Sequence, residues 1–150
     1  MGNPASLPHP VSRKCRAGRD CIVTGDRTDL IQYRIERAFE TLNEAQVLAD
    51  AGKWNACVNR LYYACFYAVS ALILKKDLSS AKHTGVKSLF NLYFVKPGIV
   101  PKEYGKMYNR LFERRQEGDY LDFFDFDEEK VRPWFDWTKE FIGFIAGLLE

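Results

Sequence analysis

The chain has 150 residues, of which 47% are hydrophobic and 28% charged, with a formal net charge of +2. That length is a prior for one domain around one apolar core, and the composition excludes a disordered chain. Residues 1–27 hold five basic and two acidic groups while the rest sums to −1, so the body shows no overall charge footprint for nucleic acid.

No stretch approaches the roughly 20 apolar residues of a membrane span. No apolar segment follows the N-terminal basic residues as it would in a secretory signal. The expectation is a cytoplasmic protein with no membrane association.

Residues 1–26 mix Pro, Gly, Ser, Arg and Asp without periodicity, which predicts a flexible arm ahead of a domain over 27–150. His9, Cys15 and Cys21 lie in that arm, but they lack the Cys-x-x-Cys spacing and fourth ligand of a zinc site. No metal is assigned there. Ile31, Ile35, Ala38, Leu42, Ala45 and Ala49 then recur at helical spacing, one stripe of an amphipathic helix. Asp26 or Thr28 caps its start, and Gly52 ends it.

The second helix, about 53–75, reads "NACVNRLYYACFYAVSALILKK" and is apolar on every face, so it belongs at the centre of the fold. Small residues at Cys57, Ala64, Ala68 and Ala71 allow neighbours to approach closely. Asn59 and Arg60 are its polar exceptions. A third helix, about 83–95, carries Val86, Leu89, Phe90, Tyr93 and Phe94 and stops before Pro97-Gly98. The fourth starts near Pro101, a first-turn proline, and presents Tyr104, Met107, Tyr108 and Leu111. The fifth, about 127–149, is capped by Asp127, with Glu128 and Glu129 complementing the helix dipole. Pro133 either kinks it or marks its true start. The fold class is all-α, an up-and-down bundle of four to five helices.

Arg60 sits on a largely apolar helix, where a guanidinium needs a carboxylate, carbonyls or an anionic ligand. It either pairs structurally or walls a polar cleft, with Tyr63, Ala64 and Tyr67 on its face. His83 is the single histidine after residue 9 and opens the third helix. Capping and surface exposure compete there with a chemical role, and Lys82 and Lys87 favour an anion at that helix end. The acidic run "EGDYLDFFDFDEE" lacks the regular ligand ladder of a calcium loop. Its interleaved Tyr120, Phe123, Phe124 and Phe126 suggest a loop pinned to the core with its acids in water. In "RRQEGDY", Arg115 and Asp119 are four apart and share a helical face. Tyr120 then points roughly 140° away at about 3.6 residues per turn. If Gly118 relaxes the helix instead, Asp119 and Tyr120 swing toward Arg115.

The order "NRLYYACFYAVSALIL", "KHTGVKSLFNLYFVKPG" and "MYNRLFERRQEGDY" with a last amphipathic helix resembles the HEPN superfamily. It resembles most the small stand-alone members paired with a minimal nucleotidyltransferase. The resemblance covers about residues 28–148 and rests on Arg60-x-Tyr62-Tyr63-Ala64, His83 and Arg115-x-x-x-Asp119-Tyr120. It implies a dimeric bundle similar to the C-terminal domain of kanamycin nucleotidyltransferase. It also implies a nucleotide- or partner-binding component of a toxin–antitoxin-like pair with a nucleotidyltransferase. Arg60, Tyr63, Arg115 and Asp119 then line a cleft for nucleotide phosphate or RNA, and Tyr120 is a hydroxyl that the partner modifies. No cofactor is implied.

The alternative is a metal-independent RNase toxin using Arg115 with His83 or Tyr120. Nucleases of this family place a histidine four to six residues after the arginine, and none follows Arg115 here. The position is taken by Tyr120, a poor base at neutral pH, so whether the chain is an enzyme stays open. A third reading is a non-catalytic dimerisation module in which Arg60 and Arg115 satisfy Asp119 and main-chain carbonyls.

Overall fold

The computed structural model describes residues 24–122 and 124–150. It contains α1 (Thr24–Asp50), α2 (Trp54–Lys75), α3 (His83–Phe90), a π-helical turn (Asn91–Val95), α4 (Lys102–Tyr120) and α5 (Glu128–Leu149), with no strand among the described residues. His9, Cys15, Cys21 and Phe123 lie outside the described residues. α1 begins at Thr24, so Asp26 and Thr28 stand inside the helix and neither is its cap.

Side-chain pairings fix the directions. Arg34 reaches Ser70 and Arg60 reaches Glu44, which makes α1 and α2 antiparallel. Tyr62 stacks on Tyr108 while Asn59 bonds Asp119, so α4 also runs against α2. Trp54 faces Arg132 and Lys75 reaches the Leu148 carbonyl; α5 therefore runs parallel to α2. The four long helices alternate up and down, and α2 packs against α1, α3, α4 and α5.

The apolar sequence of α2 accounts for that central place. Cys57, Val58, Leu61, Tyr62, Ala64, Cys65, Ala68, Val69 and Ala71 are all fully buried. At about 25 cal/mol per Å² of apolar surface, one such Leu or Val contributes on the order of 1.5–3 kcal/mol. By length and mean hydropathy α2 does qualify as a membrane span, contrary to the sequence expectation. However, 72% of its apolar window is buried against the other helices, as a core helix should be.

Helix ends follow local chemistry. Gly52, at φ 74°, closes α1 in the left-handed region, and the amides of Gly52 and Lys53 donate to Ala49 and Leu48 carbonyls. Pro101 precedes the first turn of α4 as its N-cap rather than lying inside it. Asp127 caps α5 by accepting from the Lys130 amide at 2.9 Å. Pro133 sits inside α5, and the helix runs on through it from Glu128. The expected third helix changes character midway, from α to π at Asn91. Asn91 Nδ2 donates to the Lys87 carbonyl at 2.8 Å, and the Lys96 amide donates back to the Asn91 carbonyl at 2.8 Å. Gly105 on α4 admits this wider turn, because a Cβ there would lie 3.0 Å from Val95 and 3.2 Å from Asn91 Oδ1.

Candidate functional site

The last turns of α4 carry Arg115 inward. Its residue exposure is 9%, and its Nε is buried without a hydrogen-bond partner. The guanidinium lies over the rings of Tyr62 (4.7 Å), Phe112 (5.5 Å) and Tyr63 (5.7 Å). Its carboxylate neighbour Asp119 stands one turn away at 3.9 Å, too long for a hydrogen bond. A guanidinium keeps its charge in a protein, and a buried cation with unsatisfied donors is costly. Arg115 is thus a largely buried positive charge on an aromatic floor, with one donor left unpaired.

His83 arrives on the same floor from the start of α3. Its ring stacks on Phe66 at 4.3 Å and meets Tyr63 edge-on at 5.5 Å. Its Nδ1 shares a 2.8 Å hydrogen bond with the Tyr62 hydroxyl. Burial, and then the positive charge of Arg115, lower its pKa below the usual 6.5, so the ring is neutral at pH 7. Burial likewise pushes the Tyr62 phenol up to about 12, against a smaller opposing pull from Arg115. Two tautomers satisfy this bond. With Tyr62 donating to Nδ1, the outer nitrogen carries a proton and is a donor. With Nδ1 donating to Tyr62, the outer nitrogen is an acceptor and a base.

Arg60 is half-buried, and its guanidinium lies over the Tyr63 ring at 5.0 Å. Its Nε and Nη2 donate to Asn59 Oδ1 at 3.2 and 3.0 Å, and Nη1 donates to Glu44 at 3.3 Å. Asn59 Nδ2 in turn donates to Asp119 Oδ2 at 3.2 Å. A polar chain therefore runs Glu44, Arg60, Asn59, Asp119, Arg115 across three helices. The structure brings Arg60, Tyr63, His83, Arg115 and Asp119 together.

Tyr120 is placed elsewhere. α4 stays helical through Tyr120, so the swing imagined at Gly118 does not occur, and Tyr120 is 73% exposed. It does not help pin the acidic loop either; Phe124 and the buried Phe126 do that. Asn55 holds the same loop, donating to the Phe124 carbonyl at 2.8 Å and accepting from the Phe126 amide at 2.7 Å. Arg114 pairs with its own Glu117. Among the described residues no three His, Cys, Asp or Glu side chains gather as a metal site.

Tyr62, Phe66 and Phe112 form the floor, and no role was read for them in the sequence. Helical spacing contains the signal: Phe112 precedes Arg115 by three residues, and Phe66 follows Tyr62 by four. Lys87, read with Lys82 as favouring an anion at the start of the third helix, places Nζ over Phe112 at 4.5 Å.

The chain is thus a small all-α protein, an alternating helical bundle in which a buried, incompletely paired arginine and a neutral histidine lie on one aromatic floor. The chain matches the model of the HEPN domain over residues 31–148, and it belongs to that family. It is similar to a protein of Thermotoga maritima named "UPF0332 protein", with 46% identity over 83% of this chain and 95% of the relative. It is also 36% identical to "Putative toxin MJ0605" of Methanocaldococcus jannaschii, over 66% of this chain and 74% of that protein. A second protein of that organism, "Putative toxin MJ0142", is 34% identical over 60% of this chain and 61% of its own.

Proposed function

We propose that this chain is a toxin-like HEPN protein whose Arg115 site binds the phosphate of a nucleotide or RNA, and that it acts as a homodimer with a nucleotidyltransferase partner. One observation carries the binding reading: the Arg115 guanidinium is buried with a free Nε and its nearest carboxylate only at 3.9 Å. A phosphate oxygen supplies the acceptor that Asp119 fails to supply, while Asp119 keeps its bond to Asn59. The names of the two Methanocaldococcus relatives support the toxin context. The exposed Tyr120 suits a hydroxyl that a partner enzyme modifies.

Calorimetric titration with a nucleoside triphosphate tests the site. The intact protein binds, and Arg115→Ala binds about 10- to 100-fold more weakly, the range for a hydrogen bond to a charged group. Absence of binding by the intact protein ends this reading. The partner is tested by affinity purification from native lysate, where a nucleotidyltransferase is retained, and the dimer by light scattering.

The pairing of His83 with Arg115 favours a second reading, RNA cleavage without metal. Arg115 stabilises the phosphate charge, and the outer nitrogen of His83 moves the proton. RNA that survives prolonged incubation with the intact protein, but not with a known ribonuclease, excludes it.

A further inference from the structure

The Arg115 site does not use every cation that lies on a ring. On the adjoining turn of α2, Arg37 of α1 lies over Tyr67 at 5.0 Å, repeating the step made by Arg60 over Tyr63. Tyr63 and Tyr67 are four residues apart, about 6 Å along the helix axis, and Phe66 links them by ring contacts at 6.1 and 6.0 Å. One turn further, Arg34 is half-buried and makes one hydrogen bond among the described residues, to the Ser70 carbonyl at 3.3 Å. Burial lowers its pKa, which marks a guanidinium short of compensating partners.

A guanidinium and the tyrosine ring it lies over are both planar groups, and nucleobases stack on such planes. The counter-charges are Glu44, at 3.9 Å from Arg37 and 3.3 Å from Arg60, and Glu40, at 3.0 Å from Arg37. Both carboxylates are about half exposed and are screened by salt, so they yield to a ligand phosphate. A duplex hides its base planes, whereas a single strand presents base and phosphate in alternation, as this surface presents planes and charges.

Resting on the phosphate reading of Arg115, we infer that the site continues along α2 over Arg60–Tyr63 and Arg37–Tyr67 as a track for a single RNA strand, with the Arg37–Tyr67 step as a separate base-stacking subsite. The natural ligand is then an oligonucleotide rather than a mononucleotide.

The test is anisotropy titration of labelled oligouridylate of about 8 nucleotides, within the usual single-strand site size, beside uridine dinucleotide. The intact protein binds the longer strand more tightly. Tyr67→Ala weakens that strand about 5- to 100-fold, the loss of one stacked base, and leaves the dinucleotide unchanged. Arg37→Gln, on a partly exposed face, lowers the slope of affinity against salt by about one charge and reads the same subsite if Tyr67→Ala does not fold. Arg115→Ala weakens both ligands. Equal binding of both lengths, with Arg115→Ala still damaging, overturns the track but leaves the Arg115 reading intact. No binding of either ligand overturns both. Equally tight binding of an acidic peptide, indifferent to Tyr67→Ala, shows a peptide surface instead and also overturns the track.

Discussion

Arg115 is a charge whose burial is only partly compensated. Its Nε has no partner and its carboxylate is distant, while Asp119 retains Asn59. Arg115→Met keeps the length of the side chain and removes the desolvated charge. It is expected to leave stability unchanged or raise it by about 1 kcal/mol, read as an equal or higher Tm by calorimetry, while the nucleotide binding proposed for this site weakens. His83 gives a second expectation at this scale. Its pKa is lowered in the fold, so between that value and 6.5 the unfolded chain binds more protons and stability rises with pH. The contribution is complete above about pH 6.5 and is lost as pH falls through the folded value. Denaturant titrations across that range show the slope, and His83→Gln flattens it. The pair Arg115 and Asp119 was legible because four residues on a helix fix a shared face. The meeting of Arg115 with His83 was not, since it depends on α3 and α4 both packing on Tyr62, a contact between residues far apart in the chain.

Among the elements, the loop after α4 shows how a few bonds complete what two core aromatics begin. Asn55 both donates to Phe124 and accepts from Phe126, while Asp127 caps α5. Asn55→Ala leaves that carbonyl and amide unpaired and is expected to destabilise by about 1–3 kcal/mol; Asp127→Ala is expected to lose about 1 kcal/mol. Chemical denaturation of the two variants gives both values. Only the first change loosens the loop itself, seen as faster amide exchange at Phe126. The cap at Asp127 was legible because its acceptor, the acids after it and the apolar periodicity lie side by side in the chain. The π turn at Asn91–Val95 was hidden, because Gly105, which makes room for it, belongs to another helix. The start of α1 was misplaced for a simpler reason: Asp26 and Thr28 are both residue types that cap helices well, but the helix already begins at Thr24.

For the molecule as a whole, α2 is the common wall of every layer. Ala68 is fully buried on it, and Ala68→Leu forces extra volume into a packed interface, with an expected loss of about 1–3 kcal/mol. Such a change lowers the denaturation midpoint without altering the slope, because no helix can part from α2 alone. The all-α class was readable from periodicity alone, and the central place of α2 from its apolar faces; which helices cover each face became visible only with the structure. The aromatic floor of the Arg115 site is built on this same helix. Tyr62 is both the fully buried partner of Tyr108 and the ring beneath Arg115. The floor beneath Arg115 is therefore part of the core itself, and loosening it means loosening the bundle: the same side chain serves as keystone and as surface.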